Sequence, residues 1–214
     1  GKEVILIVGS CRSIQYMNYF SEWNDENNNR FTICFLDPFN WNFDLQDNRT
    51  NFEEVINGLE KNDSIISLLK NTDICIHEYY GNYGMFSFNK EAEKNIYRFG
   101  LNPKVDVCIP NYNDVFVLFG DIVTFDVEMR KKAMQDYNVL GKLSEETQHE
   151  IFELSQRNLN KFYDICLKSD FPEMKDFFQN NMKEKRMFWT YNHISKEFSY
   201  FIFVRLLKRF LGID

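Results

Sequence analysis

The stretch VILIVGSCRS, residues Val4–Ser13, decides the fold because an apolar run leads directly into a turn of small residues. Its five apolar residues favour a buried β-strand. The residues that follow, Ile14–Trp23, have apolar side chains at the spacing of an amphipathic helix. The stretch therefore predicts a strand over Glu3–Val8, a tight turn that carries the thiol of Cys11, and a helix over Ser13–Trp23.

Apolar runs alternate with helical patterns through the rest of the first half. The further predicted strands are Phe31–Leu36, Asp73–His77 and Val105–Ile109. A polar loop is predicted over Asn24–Asn29. Helices are predicted within Asn51–Lys70 and over Asn89–Phe99. Strands separated by helices of this length predict a mainly parallel sheet with crossover helices.

The second half changes to helical patterns. These predict helices over Phe125–Asp136, Ser144–Lys168, Phe171–Asn181 and Ser195–Leu211, with a short strand or extended segment over Met187–Tyr191. We expect an α/β fold of three layers, with a parallel sheet of about four or five strands and a helical C-terminal half. A single domain over residues 1–214, which could be one domain of a longer protein, is the simplest organisation.

Composition excludes several classes of function. The net charge of −7 argues against a general nucleic-acid binder. The five cysteines are odd in number and form no Cys-x-x-Cys pair, which indicates a reducing compartment: the cytoplasm, or the host cytoplasm if the protein is viral. No apolar run has the length of a membrane span. The three histidines and the cysteines lack zinc-ligand spacing, so no metal site is expected.

Chemically useful side chains follow the first and third predicted strands and precede the last helix. Cys11 lies where a strand ends and a helix begins, a position that favours a thiolate and a bound anion, although a buried structural cysteine is the alternative interpretation. His77, at the end of the third strand, is followed by Glu78, Tyr79 and, at the start of a Gly-rich turn, Asn82. A nucleophile, a base and hydrogen-bond donors in one pocket would suit acyl transfer.

Three patches resemble the WcbI-type polysaccharide-biosynthesis family of SGNH-hydrolase-like proteins. They are Gly9-Ser10-Cys11-Arg12, Ile109-Pro110-Asn111-Tyr112 and Thr190-Tyr191-Asn192-His193-Ile194-Ser195. Arg12 replaces an amide residue of the family pattern and Ile194 replaces a proline. Thr190 stands where an SGNH hydrolase would have an aspartate, which argues against plain ester hydrolysis.

The resemblance implies an SGNH-hydrolase-like, flavodoxin-like domain that binds coenzyme A and transfers acetyl groups from acetyl-CoA to a sugar or sugar nucleotide. The catalytic residues implied are His193 as base, Cys11 as acetyl carrier or pocket wall, and Asn82 as an oxyanion donor. Ser10, Arg12, Lys185 and Arg186 would bind the cofactor. His77, Glu78, Tyr79 and Asn192 would bind the acceptor.

Two other functions remain open at this point. The first is an SGNH-type carbohydrate esterase or deacetylase, which would use water in place of an acceptor. The second is a non-catalytic glycan-binding module, whose aromatic side chains at Trp41, Tyr79, Tyr80 and Tyr83 would stack on sugars. The sequence leaves the oligomeric state open.

Overall fold

The computed structural model describes residues 1–37, 61–79, 103–110, 116–118, 121–123, 127–185, 187–188 and 193–214. The chain forms two compact units: Gly1–Pro110 together with Ser199–Asp214, and Asn111–Phe198. The single-domain organisation expected from the sequence stays a prediction.

The first unit contains a four-stranded parallel sheet, as the alternation of strands and helices predicted. Its elements are β1 Glu3–Val8, α1 Ile14–Glu26, β2 Phe31–Leu36, α2 Asp63–Lys70, β3 Ile74–Glu78 and β4 Val105–Ile109. The strand order is β2-β1-β3-β4, and every neighbouring pair is parallel. The α/β fold class is therefore confirmed, and the architecture is consistent with three layers.

The sheet is held at its amino edge by an aspartate. Asp73 accepts a hydrogen bond from the Val4 N–H at 3.0 Å, and Lys104 lies 3.1 Å from Asp73 and 3.4 Å from Glu3. The backbone hydrogen bond and the Lys104 ammonium together lower the pKa of Asp73. These contacts tie together the starts of β1, β3 and β4.

Helix α1 continues to Glu26, into the segment predicted to be a loop. Asn24 is buried, and its side chain donates to the Phe31 carbonyl at 2.9 Å and accepts from the Phe31 N–H at 2.8 Å. This asparagine therefore joins the helix to β2 instead of ending the helix. The chain leaves α1 through Asn28 and Asn29, which have positive φ angles of 60° and 51°.

The C-terminal part of the first unit packs on α1. Helix α6, Lys196–Arg205, begins in the second unit and continues into the first, where a π-helical turn follows at Leu206–Phe210. The Phe203 ring lies 5.2 Å from Tyr19 and 5.0 Å from Phe20, measured between ring centroids. Ser199 also accepts or donates a 3.0 Å hydrogen bond with the Tyr19 hydroxyl. The predicted helix over Ser195–Leu211 is thus mostly confirmed, with a widened last turn.

The second unit is mainly helical and contains one antiparallel hairpin. Its elements are β5 Phe116–Leu118, β6 Asp121–Val123, α3 Val127–Leu140, α4 Glu145–Lys168 and α5 Met174–Asn181. Ser144 caps α4 by accepting a hydrogen bond from the Thr147 N–H at 3.2 Å, in agreement with the predicted start of this helix. The hairpin was not predicted. The helix predicted over Asn89–Phe99 lies outside the described residues.

Aromatic side chains form the core of the second unit. The Phe162 ring on α4 lies 5.1 Å from Phe178, 5.7 Å from Phe188 and 6.0 Å from Phe198. Over the segment predicted as Met187–Tyr191, the described part is a single antiparallel bridge between Phe188 and Ile194. No helix in the described ranges is long and apolar enough to cross a membrane.

Candidate functional site

The candidate site lies at the carboxyl edge of the sheet, where β1 meets β3. β1 has β2 on one side and β3 on the other, so the chain leaves the centre of the sheet in opposite directions. Open α/β sheets bind ligands at this kind of topological switch point. The Gly9 N–H donates to the Leu36 carbonyl at 3.0 Å, and the turn that follows leads into α1. The turn predicted to be functional therefore lies where such sites occur.

The carboxylate of Glu78 organises this edge. Its Oε1 atom accepts hydrogen bonds from the Ser10 N–H at 3.1 Å, from the Ser10 hydroxyl at 3.2 Å and from the Ser13 hydroxyl. The second oxygen, Oε2, lies 3.3 Å from the Ser10 hydroxyl and 3.6 Å from Arg12 Nη2. Glu78 thus fixes the turn after β1 from the end of β3.

Arg12 and Glu78 form an ion pair that is largely removed from water. The Arg12 side chain is 13% exposed and that of Glu78 is 1% exposed. Burial raises the pKa of Glu78, and the nearby Arg12 charge and the two serine hydroxyls offset part of that rise. Arg12 also donates from Nε to the Ser10 hydroxyl at 2.7 Å. This arrangement uses the Arg12 charge on Glu78, whereas the sequence analysis had expected it to bind a cofactor phosphate.

Glycine is required at position 9 by the close approach of these side chains. A Cβ atom at Gly9 would lie 2.7 Å from Glu78 Oε1 and 2.7 Å from Ser13 Cβ, and closer still to Ser13 Oγ. Real Cβ atoms do not approach other heavy atoms so closely. The Gly-Ser-Cys turn is therefore built for the buried carboxylate beneath it.

Cys11 follows Ser10 in this turn and is exposed, and its thiol is not part of a disulfide. Exposure distinguishes it from Cys75, Cys108 and Cys166, which are buried. The interpretation of Cys11 as a buried structural cysteine is therefore wrong. A solvent-accessible thiol at the start of a helix is suited to reaction with an electrophile.

Tyr16 is a member of the cluster that the sequence patterns did not indicate. Its side chain is 1% exposed, and its hydroxyl has no hydrogen-bond partner among the residues that the structure describes. Burial and the nearby Glu78 carboxylate raise its pKa. Nη1 of Arg12, one helical turn earlier in the chain, is likewise buried and without a hydrogen-bond partner. Two polar atoms beside one carboxylate are therefore unsatisfied.

The remaining candidates on β3 are placed differently from Glu78. His77 alternates to the opposite face of the sheet, is fully buried, and has Nε2 at 3.4 Å from Asp106 Oδ1 on β4. A substrate would have to displace packed residues to reach it, so this geometry supports a structural role in place of the predicted substrate contact. Tyr79 follows β3 and donates its N–H to the Ile109 carbonyl at 2.9 Å.

His193 and Lys185 belong to the second unit. His193 is half-buried and precedes Ser195, whose N–H donates to the Met187 carbonyl at 2.8 Å. Lys185 is half-exposed and paired with Glu197 at 2.5 Å, so its charge is already compensated. Cys11 lies in the first unit, and its pairing with His193 stays a prediction. The predicted site residues Asn82, Arg186 and Asn192 lie outside the described residues.

Two further observations concern metal binding and similarity to known proteins. Within the described ranges, no group of three or more His, Cys, Asp or Glu side chains is placed to hold a metal ion. Comparisons with models of protein families, with curated proteins and with solved structures found no match. The resemblance to the WcbI-type family therefore stays a prediction from sequence patches.

Proposed function

We propose that the chain is an SGNH-like acyltransferase that moves an acetyl group from acetyl-CoA to a sugar or sugar nucleotide. The observation that carries the proposal is the exposed Cys11 at the β1–β3 switch point, in the same turn as Ser10, which bonds the buried Glu78 carboxylate. The same turn holds a buried ion pair and a glycine whose Cβ would overlap Glu78 and Ser13, so its polar groups are held in fixed positions. Such preorganised polar groups are typical of reacting centres.

In the proposed reaction the acceptor nucleophile attacks the thioester carbonyl, and the carbon–sulfur bond breaks to release coenzyme A. His193 takes the proton of the acceptor and returns it to the departing thiolate. Cys11 either lines the pocket during direct transfer or carries the acetyl group as a thioester between two steps. The Ser10 N–H is bonded to Glu78 and therefore serves the turn, not a developing oxyanion.

Binding of the cofactor is the first test. Isothermal titration calorimetry with coenzyme A and acetyl-CoA is expected to show binding by the wild type and by His193→Ala. Absence of binding to the wild type would refute the proposal. Hydrolysis of an acetylated sugar without coenzyme A would instead favour the esterase alternative.

Turnover measurements on variants distinguish the role of His193 from that of Cys11. His193→Ala is expected to lower the rate by about 10²-fold or more, the usual loss when a general base is removed. His149→Ala is the matched control, because His149 is exposed on α4 and pairs only at the surface with Glu153 at 3.4 Å. If Cys11→Ala is also inactive and mass spectrometry traps an acetylated Cys11, transfer proceeds through the enzyme. If Cys11→Ala keeps most activity, transfer is direct.

A further inference from the structure

Helix α3 is packed on one side and exposes apolar side chains near its end. The packed side is tied to the first turns of α4, where Lys132 lies 2.6 Å from Glu150. One turn later, Asp136 accepts a hydrogen bond from the Ser144 hydroxyl at 2.6 Å. The last two turns of α3 carry four large apolar side chains that are 53–74% exposed: Met134, Tyr137, Val139 and Leu140. Apolar side chains that cluster on an exposed surface are typical of a contact with another protein.

Two of these side chains belong to a stripe that runs along the helix. The α3 stripe consists of Arg130, Met134, Tyr137 and Gly141, which follow one another at helical spacing and therefore share one face. Arg130 is exposed, and a Cβ atom added at Gly141 would have no atom within 4 Å. The face is therefore open at both ends as well as at its apolar middle.

The two ends of the α3 stripe carry opposite charge. Arg130 makes one end positive. The other end is the carboxyl end of the helix, where the last carbonyl groups carry a partial negative charge. No basic side chain lies in the last turn of α3 to offset that charge. Gly141 closes the helix with a φ of 67° and donates its N–H to the Tyr137 carbonyl at 3.0 Å, and it has no side chain to cover the helix end.

We infer that two copies of this chain associate through α3, with the two helices antiparallel about a two-fold axis that passes between Met134 and Tyr137. This axis places Met134 of each copy against Tyr137 of the other. It also places Arg130 of each copy beside the carboxyl end of the other helix, which has no basic side chain of its own. One surface is used twice, as a two-fold contact requires. The occupant is a second copy because the stripe carries its own complement, apolar in the middle and opposite in charge at its ends.

The mass of the protein in solution tests this contact, and the measurement needs neither coenzyme A nor a sugar. One helix pair is a small interface, so we expect a weak dimer with a Kd of about 10–100 µM. Sedimentation velocity of the whole chain between about 5 and 500 µM, in about 0.15 M salt, should show the mass rise from that of one chain towards that of two. A monomer throughout this range would overturn the inference, and so would assembly beyond a dimer.

Tyr137→Ser tests the apolar middle of the contact. The side chain is 55% exposed, so its truncation should leave the fold intact while the dimer weakens about tenfold or more. Phe152→Ser is the matched control, because Phe152 is 61% exposed on α4 and lies outside the α3 stripe. Its Kd should stay within about twofold of the wild type. The inference is wrong if Tyr137→Ser associates as tightly as the wild type, or if both variants weaken the dimer equally.

A charge exchange tests the ends of the contact. Arg130→Glu places a negative charge beside the negative helix end of the other copy and should weaken the dimer about tenfold. Asn138→Arg, at an exposed position in the last turn of α3, makes that helix end positive and should also weaken the dimer when Arg130 is present. Together the two substitutions attract each other across the contact, so Kd should return to within about threefold of the wild type. If the double variant associates no more tightly than Arg130→Glu alone, Arg130 does not face the helix end and the inference is overturned.

Discussion

Replacing Gly9 with alanine tests whether the turn after β1 is shaped by the carboxylate beneath it. The added methyl group would lie 2.7 Å from Glu78 Oε1 and would also meet the side chain of Ser13. Relieving this overlap is expected to cost about 1–3 kcal/mol by overpacking. If the turn moves away, Glu78 also loses the Ser10 hydrogen bonds, which adds about 1–3 kcal/mol for a buried, poorly satisfied group. We therefore expect a total loss in the free energy of unfolding of about 2–6 kcal/mol.

Urea unfolding followed by circular dichroism measures this loss, and Gly212→Ala provides the control. Gly212 has a φ of 62°, but no atom lies within 4 Å of an added Cβ. Alanine at this position is expected to lower the free energy of unfolding only through the left-handed backbone conformation, by about 1–2 kcal/mol. The two substitutions therefore separate a steric collision from a conformational cost.

A double variant identifies the atoms responsible. Ser13→Gly removes two of the three atoms closest to the added methyl group. In a double-mutant cycle, Gly9→Ala should cost at least about 1 kcal/mol less in the Ser13→Gly background than in the wild type. The reasoning is refuted if Gly9→Ala costs no more than Gly212→Ala, or if its cost is independent of Ser13.

Three further outcomes are expected from unfolding experiments. Asn24→Ala should lower the free energy of unfolding by about 2–4 kcal/mol, because the buried N–H and carbonyl groups of Phe31 lose their partner. Asn27→Ala, at an exposed site, should stay within about 0.5 kcal/mol of the wild type. Equal losses from the two variants would contradict the role of Asn24. Phe162→Ala removes a buried ring of the aromatic core and should lower the free energy of unfolding by about 3–5 kcal/mol. Phe152→Ala, on the exposed side of the same helix, should lower it by less than about 1 kcal/mol. A small loss at both positions would contradict the packing described. Burial raises the pKa of Glu78, so its contribution to stability is full below the ordinary glutamate pKa and is lost as pH rises through the raised value. The urea midpoint of Glu78→Gln should therefore improve relative to the wild type as pH rises above the ordinary glutamate pKa of about 4.3, and a decline with rising pH would contradict the assignment.

The strands of the first unit could be predicted from the sequence because β1, β3 and β4 are largely buried, and because β2, which is only partly buried, still forms an apolar run. Strands in a parallel sheet are covered on both faces and read as continuous apolar runs, so the predicted bounds of β1, β2 and β4 agree with the structure. The β5–β6 hairpin was missed because each strand has only three residues. Its signal was a pair of apolar runs separated by Phe119-Gly120, a two-residue connection typical of hairpins.

The site was predictable in position but not in its internal bonding. The sequence places Ser10, Arg12 and Glu78 after neighbouring parallel strands, which brings them to one edge. A glutamate after a strand is usually solvated, and nothing in its neighbours indicated that Glu78 would be buried and would accept hydrogen bonds from the turn. Tyr16 could not be distinguished from an ordinary core residue, because an unsatisfied hydroxyl is visible only in three dimensions.

The central place of β1 has a consequence for how the chain folds. Among the strands of its sheet β1 is made first, both of its partners lie later in the chain, and its Val4 N–H donates to Asp73, 69 residues away. Bringing the ends of so long a segment together lowers the conformational entropy of the chain before the favourable strand pairing has formed. Folding of this unit is therefore expected to be slow for its size, because β1 can pair with β2 early but its other edge stays unpaired until β3 has left the ribosome. During that interval its apolar side chains are available to a chaperone.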